Sequence, residues 1–409
     1  MTRAEKTYYG VYTLYCLGWS FTAPMYALFL LSRGLDLFQI NVVLATYLIV
    51  SFLFEVPTGA LADLFGRKRS FLLSCVVRAL AFVMYYYAHS FRDCITAELV
   101  DAVGTTLANG ALDAWAIDSM RAEGHHQTAD RFFARAQMIS RSAMIGAGIV
   151  GGYVAAANIA WPWLIGAGFF CAAAATAIAL MSETAVASRT AAAPRSLIAT
   201  ARAGLRAVRR QPVLLWLSLI TLTASFGMMP VHQTWQPRMK ALSGEGLWLM
   251  GWIWALVNVA AVTGSAAVPR LLGRFARERM LVAVTAWRSA AIGLAALATA
   301  FYPALAGLLL FELGFGVGEP LVQAWMNEHV GSEQRATVLS VRSMAFMLGG
   351  GTGLLCLGLV AREVSIAAAW ALSSMMLLVS AAGYVVLARV ARGRDLVHAD
   401  NVVKLKAVG

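Results

Sequence analysis

Glu98 and Asp101 stand three residues apart, and Glu312 and Glu319 seven apart, in stretches that otherwise hold mostly apolar residues. Three and seven are helical spacings, so on a helix each pair shares a face. A carboxyl group in apolar surroundings is a usable proton carrier or a ligand for a cation. Asp101 and Glu312 are the foremost candidates for that work. Arg78, Arg141, Arg288 and Arg342 lie in similar apolar stretches. They are expected as static partners of the acids, with Arg141 and Arg342 the alternative pair for holding an anion. By depth, Asp113 and Glu319 are the expected partners of Arg141 and Arg342. A second cluster runs Gly59, Asp63, Gly66, Arg67, Lys68, Arg69. It reads as a cationic hairpin between two apolar segments.

The chain that must position these groups has 409 residues, 60% hydrophobic and 13% charged. Soluble domains are about half apolar and about one quarter charged, so the composition points to a bilayer protein. The net charge of +12 does not indicate nucleic acid, because the basic residues gather between apolar spans. Cys16, Cys75, Cys94, Cys171 and Cys356 fall in or beside those spans and read as small core residues. The sequence has no G-x-x-x-x-G-K-[ST] loop, no His/Cys metal spacing and no G-x-S-x-G motif. ATP drive, a metal site, a cofactor and catalysis are therefore not expected.

Apolar windows long enough to cross about 30 Å of hydrocarbon fall at 8–31, 40–61, 70–88, 94–116, 132–156, 160–182, 212–231, 247–268, 280–300, 304–326, 337–361 and 366–388, here spans 1 to 12. The long polar break from Glu183 to Gln211 divides them six and six. Residues 1–182 are expected as one six-helix bundle, 183–211 as a cytoplasmic linker, 212–390 as a second bundle and 391–409 as a cytoplasmic tail. Within the linker, residues 195–210 have the spacing of an interfacial or solvated helix. With both termini on one side, twenty-four Lys and Arg lie on that side and five on the other. This bias places both termini in the cytoplasm.

The segment "GALADLFGRKR" resembles the signature loop G-x-x-x-D-R-x-G-R-R/K of the major facilitator superfamily, at the position between spans 2 and 3 where that family carries it. Leu64 departs from the usual basic residue. The sequence also repeats internally, as members of the family do. "AELVDAVGTTLANGALDAWAID" in span 4 parallels "FELGFGVGEPLVQAWMNE" in span 10, and Arg78 parallels Arg288, as Arg141-Ser142 parallels Arg342-Ser343. The second-half hairpin is degraded, keeping only Gly273-Arg274 of the turn. The resemblance implies an all-α membrane protein with twelve transmembrane helices in two pseudo-symmetric six-helix bundles, working by alternating access. It implies a conformational gate at Gly59, Asp63, Gly66, Arg67, Lys68 and Arg69, with Asp118 latching Arg67. Spans 1, 4, 7 and 10 would line a cavity, which makes Tyr15, Trp19 and Tyr26 candidate cavity aromatics. "GAGIVGG" in span 5 resembles the glycine-rich antiporter motif without its proline; small-residue packing is the alternative.

The expected activity is proton-coupled efflux of a small amphipathic compound by a monomer in a bacterial inner membrane. The expected partners are the substrate, protons and the lipid bilayer, with no nucleic acid. The alternatives are proton-linked import of an organic solute, including an anion held by Arg141 and Arg342, and more remotely a multispan enzyme or scramblase.

Overall fold

A computed structural model describes residues 2–123, 129–182, 212–272, 275–329 and 332–407. The described residues form helices and no strand. Span 1 is built from α1 (Arg3–Ser20) and α2 (Tyr26–Ser32), joined through a 3-10 turn at Ala23–Met25. There follow α3 (Leu37–Phe65), α4 (Arg67–Tyr87), α5 (Phe91–Ala108), α6 (Ala111–Ala122), α7 (Ala129–Ala157) and α8 (Trp161–Leu180). The remainder is α9 (Pro212–Ser243), α10 (Trp248–Leu272), α11 (Arg277–Leu297), α12 (Phe301–His329), α13 (Ser332–Glu363) and α14 (Ile366–Ala407). The linker, with its candidate helix 195–210, and the turn Gly273-Arg274 lie outside the described residues.

Local chemistry sets several of the ends. Thr2, Asp36 and Ser90 each cap a helix in a reciprocal capping box, with Glu5, Gln39 and Asp93 as the returning side chains. Each box satisfies backbone donors that hydrocarbon would leave bare. Gly66, at φ +100°, makes the turn between α3 and α4, a conformation that favours glycine.

Among the described residues, eleven runs, counting α1–α2 as one, are long and apolar enough to cross a membrane. The remaining one, span 4, is expected as a single helix. It forms instead as α5 and α6, breaking at Asn109 and Gly110, where Gly110 has φ +73°. Span 7 is expected to end at 231, but α9 continues to Ser243 through Pro230 and Pro237. Each proline removes one backbone hydrogen bond, which helices in a bilayer tolerate when neighbours re-satisfy the freed groups.

The chain packs as two compact units. One comprises Met1–Leu197 with Gln233–Asn258, the other Ile198–His232 with Val259–Gly409. The first unit's core is aromatic, with Phe29, Phe82, Tyr85, Trp163 and Phe170 stacked or edge-on. The second gathers Leu217, Val268, Leu321, Trp325 and Leu387. Apolar side chains such as Val76, Leu80, Ile178, Leu297 and Leu378 point outward, as helices solvated by lipid require. Of the five cysteines, Cys16, Cys75 and Cys94 are buried, whereas Cys171 and Cys356 are exposed and not core residues.

Within the first unit, Gln236 closes the break in span 1. Its side-chain oxygen accepts from Ala27 N–H at 2.8 Å, and its amide nitrogen donates to Ala23 C=O at 2.8 Å. The glycines of "GAGIVGG" serve packing. A Cβ at Gly151 would stand 2.5 Å from Phe21 O, and one at Gly152 would stand 2.9 Å from Trp248 O. Gly148 O lies 2.5 Å from where a Cβ of Gly251 would be. Gly146 meets nothing within 4 Å.

These contacts give the first expectation. Gly251→Ala drives a methyl group into backbone that cannot swing aside, and should lower stability by about 1–3 kcal/mol. Gly146→Ala, in open space, should leave Tm unchanged or raise it slightly. Thermal melts of the purified variants in detergent check both; equal Tm values would refute the packing role.

Candidate functional site

In the first unit, α4 carries Arg78, Phe82 and Tyr85 at i, i+4 and i+7, on one face. α5 presents Glu98 and Asp101 to that face. Arg78 donates from Nε to Asp101 Oδ1 at 2.8 Å and from a terminal nitrogen to Oδ2 at 3.2 Å. The rings of Tyr15, Phe82 and Phe170 surround its guanidinium, at 5.1, 5.8 and 4.4 Å from their centroids. Such a bidentate pair, itself enclosed, is a structural tie between α4 and α5. Asp101, a foremost proton candidate by sequence, is therefore occupied.

Glu98 is different. It is 4% exposed and accepts hydrogen bonds from the hydroxyls of Tyr26, at 3.0 Å, and Tyr85. No arginine or lysine pairs with it among the described residues. Tyrosine hydroxyls can donate to a carboxylate or accept from a carboxylic acid, so Glu98 keeps partners in either protonation state. Tyr85 was not among the candidates by sequence; its register with Arg78 on span 3 was the available signal.

Tyr15 and Tyr26 pack into the aromatic core, Tyr15 against Phe71 and Phe170, Tyr26 against Tyr85 and Trp163. Trp19 meets Trp254 edge-on at 6.3 Å. The rings of all three pack against other rings of the protein.

At the hairpin, Arg67 forms an ion pair with Asp118 of α6 and donates to Ala114 O at 2.7 Å. Lys68 donates to Ile178 O at 3.1 Å and to Met181 O, closing the C-terminal end of α8. Asp63 and Arg69 are exposed. Gly59 is also exposed and has open space where a Cβ would stand, so close packing is not its role.

In the second unit, Glu312 of α12 is buried, with His232 Nε2 3.0 Å from its Oε1. The imidazole N–H is not aligned for a hydrogen bond. His232, just beyond the expected end of span 7 at 231, lies in the continuous α9, edge-on to Phe311 and Phe315. Arg342 of α13 donates to both oxygens of Glu319 at 2.8 Å. Glu319 and Arg342 line a cavity of about 410 Å³ together with Met228, Met229, Arg288, Phe315, Phe346 and Tyr384. That volume lies within the range of small-molecule sites.

Arg141 does not mirror Arg342. It is exposed, and Asp113 instead accepts from Tyr8 Oη at 2.6 Å. An arginine at a helix surface can reach water or headgroups and needs no fixed acid.

The contrast is measurable. Arg78→Ala leaves Asp101 buried without its cation and should destabilise the protein by about 3–5 kcal/mol. Arg141→Ala should change Tm little. Comparable losses in the two variants would overturn this assignment.

The sequence is similar to several known proteins. It is 28% identical over 158 residues to the uncharacterized MFS-type transporter YxaM of Bacillus subtilis (strain 168), a match spanning 39% of each chain. It is 24% identical over 297 residues to the multidrug resistance protein MdtH of Aeromonas salmonicida (strain A449), spanning 72% of this chain and 71% of that one. The fold is similar to that of the nucleoside transporter NupG, with a TM-score of 0.76 over 94% of this chain and 99% of that one, at 13% identity. The sequence profile of the Major Facilitator Superfamily matches residues 8–354. The chain is a multi-pass membrane transporter, not an enzyme, and belongs to the Major Facilitator Superfamily.

Proposed function

We propose that this transporter exports a small amphipathic organic compound in exchange for protons, by alternating access, as a monomer in a bacterial inner membrane with both termini in the cytoplasm. The observation that carries the proton coupling is Glu98: a buried carboxyl group bound by two tyrosine hydroxyls and by no arginine or lysine. Protonation removes a charge from an apolar site, and the two hydroxyls hold the group in place in both states. The Arg78–Asp101 pair beside it supplies a fixed frame. Glu312 with His232 offers a second proton-handling pair in the other unit. The efflux direction draws support from the resemblance to a multidrug resistance protein.

The gate is assigned to the hairpin, where Gly66 makes the turn, Arg67 latches Asp118 and Lys68 ties down α8. A latch between partly exposed groups forms and opens at small cost, as a cycling transporter needs.

Two outcomes test this reading. In everted vesicles with an imposed pH gradient and a panel of amphipathic dyes, Glu98→Gln should lose gradient-driven accumulation while inserting normally. Full gradient-driven transport by Glu98→Gln would remove the proton assignment. Arg67→Ala and Asp118→Asn should insert normally but transport more slowly, and wild-type rates in both would remove the latch from the mechanism.

A further inference from the structure

Arg288 is as deeply buried as its counterpart Arg78, at 8% exposed, yet lacks the counterpart's acid. The internal repeat explains why. Arg78 is to Gly104 as Arg288 is to Gly314, each glycine lying against its arginine, and in that register Asp101 corresponds to Phe311. The second-half copy has kept the cation and replaced its carboxylate with a ring. Among the described residues, Arg288 forms no ion pair: Glu312 is placed with His232, and Glu319 with Arg342. One terminal nitrogen donates to the thioether of Met228 at 3.1 Å, and Nε has no hydrogen-bond partner. The rings of Phe311 and Phe315 lie 4.8 and 5.3 Å from the guanidinium carbon.

A buried guanidinium with spare donors is costly unless something completes it. Arg288 lines the cavity of about 410 Å³ between α9, α11, α12, α13 and α14. Two arginines face that cavity against one carboxylate, Glu319. The surrounding Met228, Met229, Phe315 and Phe346 offer an apolar, adaptable wall. We propose that Arg288 is the anchor for an anionic group, a carboxylate, sulfonate or phosphate, on the amphipathic compound that the protein carries. This rests on the transporter reading above and specifies its substrate class as organic anions with an apolar body. The planar guanidinium binds such a group through parallel N–H donors, and the apolar wall takes the rest of the molecule.

The test reads the charge of the cavity without requiring turnover. Ser343, which lines the cavity and is exposed, is replaced by cysteine on a background without the five native cysteines. The protein is reconstituted in phosphatidylcholine nanodiscs. Modification rates are measured with anionic 2-sulfonatoethyl and cationic 2-trimethylammonioethyl methanethiosulfonate, each normalised to its rate with free 2-mercaptoethanol. The protein with Arg288 should favour the anionic reagent, and Arg288→Gln should lower the anionic-to-cationic ratio about tenfold, as removal of one nearby charge in a partly shielded site implies. Arg288→Lys should keep the ratio, showing that charge and not misfolding is responsible. The same ratio with Arg288 and with Gln, or a cationic preference with Arg288 present, would overturn the proposal. Adding phosphatidylglycerol separates the two sources of anionic headgroups. An unchanged ratio supports a soluble organic anion, and a fall assigns the cavity to lipid and overturns the substrate reading. Full gradient-driven transport by Glu98→Gln would remove the proton assignment and leave this ratio untouched.

Discussion

A charge in hydrocarbon must be neutralised, hydrogen-bonded or wetted, and most of the internal architecture of this transporter answers to that constraint. The Arg78–Asp101 pair is the clearest case. It joins a buried cation and a buried anion in one bidentate contact, and three aromatic rings shield it. Because that pair is complete in itself, Glu98 one turn away is left with hydroxyl partners alone. The environment of Glu98 is thus defined by what its neighbour has already used.

The same constraint acts on the backbone. Helix breaks inside a membrane expose N–H and C=O groups, so each break needs a local remedy. The break near Pro24 is met by Gln236, whose amide supplies both a donor and an acceptor. The break at Gly110 falls in the most acidic span, and the short helix that follows carries Asp118 to Arg67. Breaking span 4 separates a half tied by Asp101 from a half that reaches the hairpin. Continuous helices instead approach by omitting side chains, as Gly148, Gly151, Gly152 and Gly251 do.

The sequence was most legible where a pattern is long and repetitive. Apolar windows, the hairpin at 59–69 and the repeat of span 4 in span 10 are enough to indicate an all-α membrane fold of this family. Pairing was less legible, because depth along a helix does not specify which face a side chain takes. Glu319 and Arg342 meet, while Arg141 turns outward and Asp113 takes Tyr8. The boundary of span 7 at 231 fell short, since Pro230 and Pro237 are carried inside α9. Isolated polar residues were the hardest to read. His232 and Gln236 follow one another closely on α9, yet one faces Glu312 and the other the break in span 1. Only the packed helices reveal which orphaned groups each side chain completes.

Duplication places the same charges at the same depth in both halves, so the pairing rule should produce two equivalent buried ion pairs. It does not. Asp101 became Phe311, or the reverse, and the two units then differ by one negative charge around an equivalent arginine. In the first unit the cation is internally balanced, and the leftover group is an acid with two hydroxyls. In the second the leftover group is the cation itself, beside a cavity walled by thioethers and rings. An internally balanced copy lends itself to proton exchange, because nothing else competes for its acid. A copy with an uncompensated cation lends itself to holding a ligand, because the ligand supplies the missing charge. On this reading, one substitution in a repeat separates proton handling from substrate binding, and each unit keeps the part of the ancestral pair that its task requires.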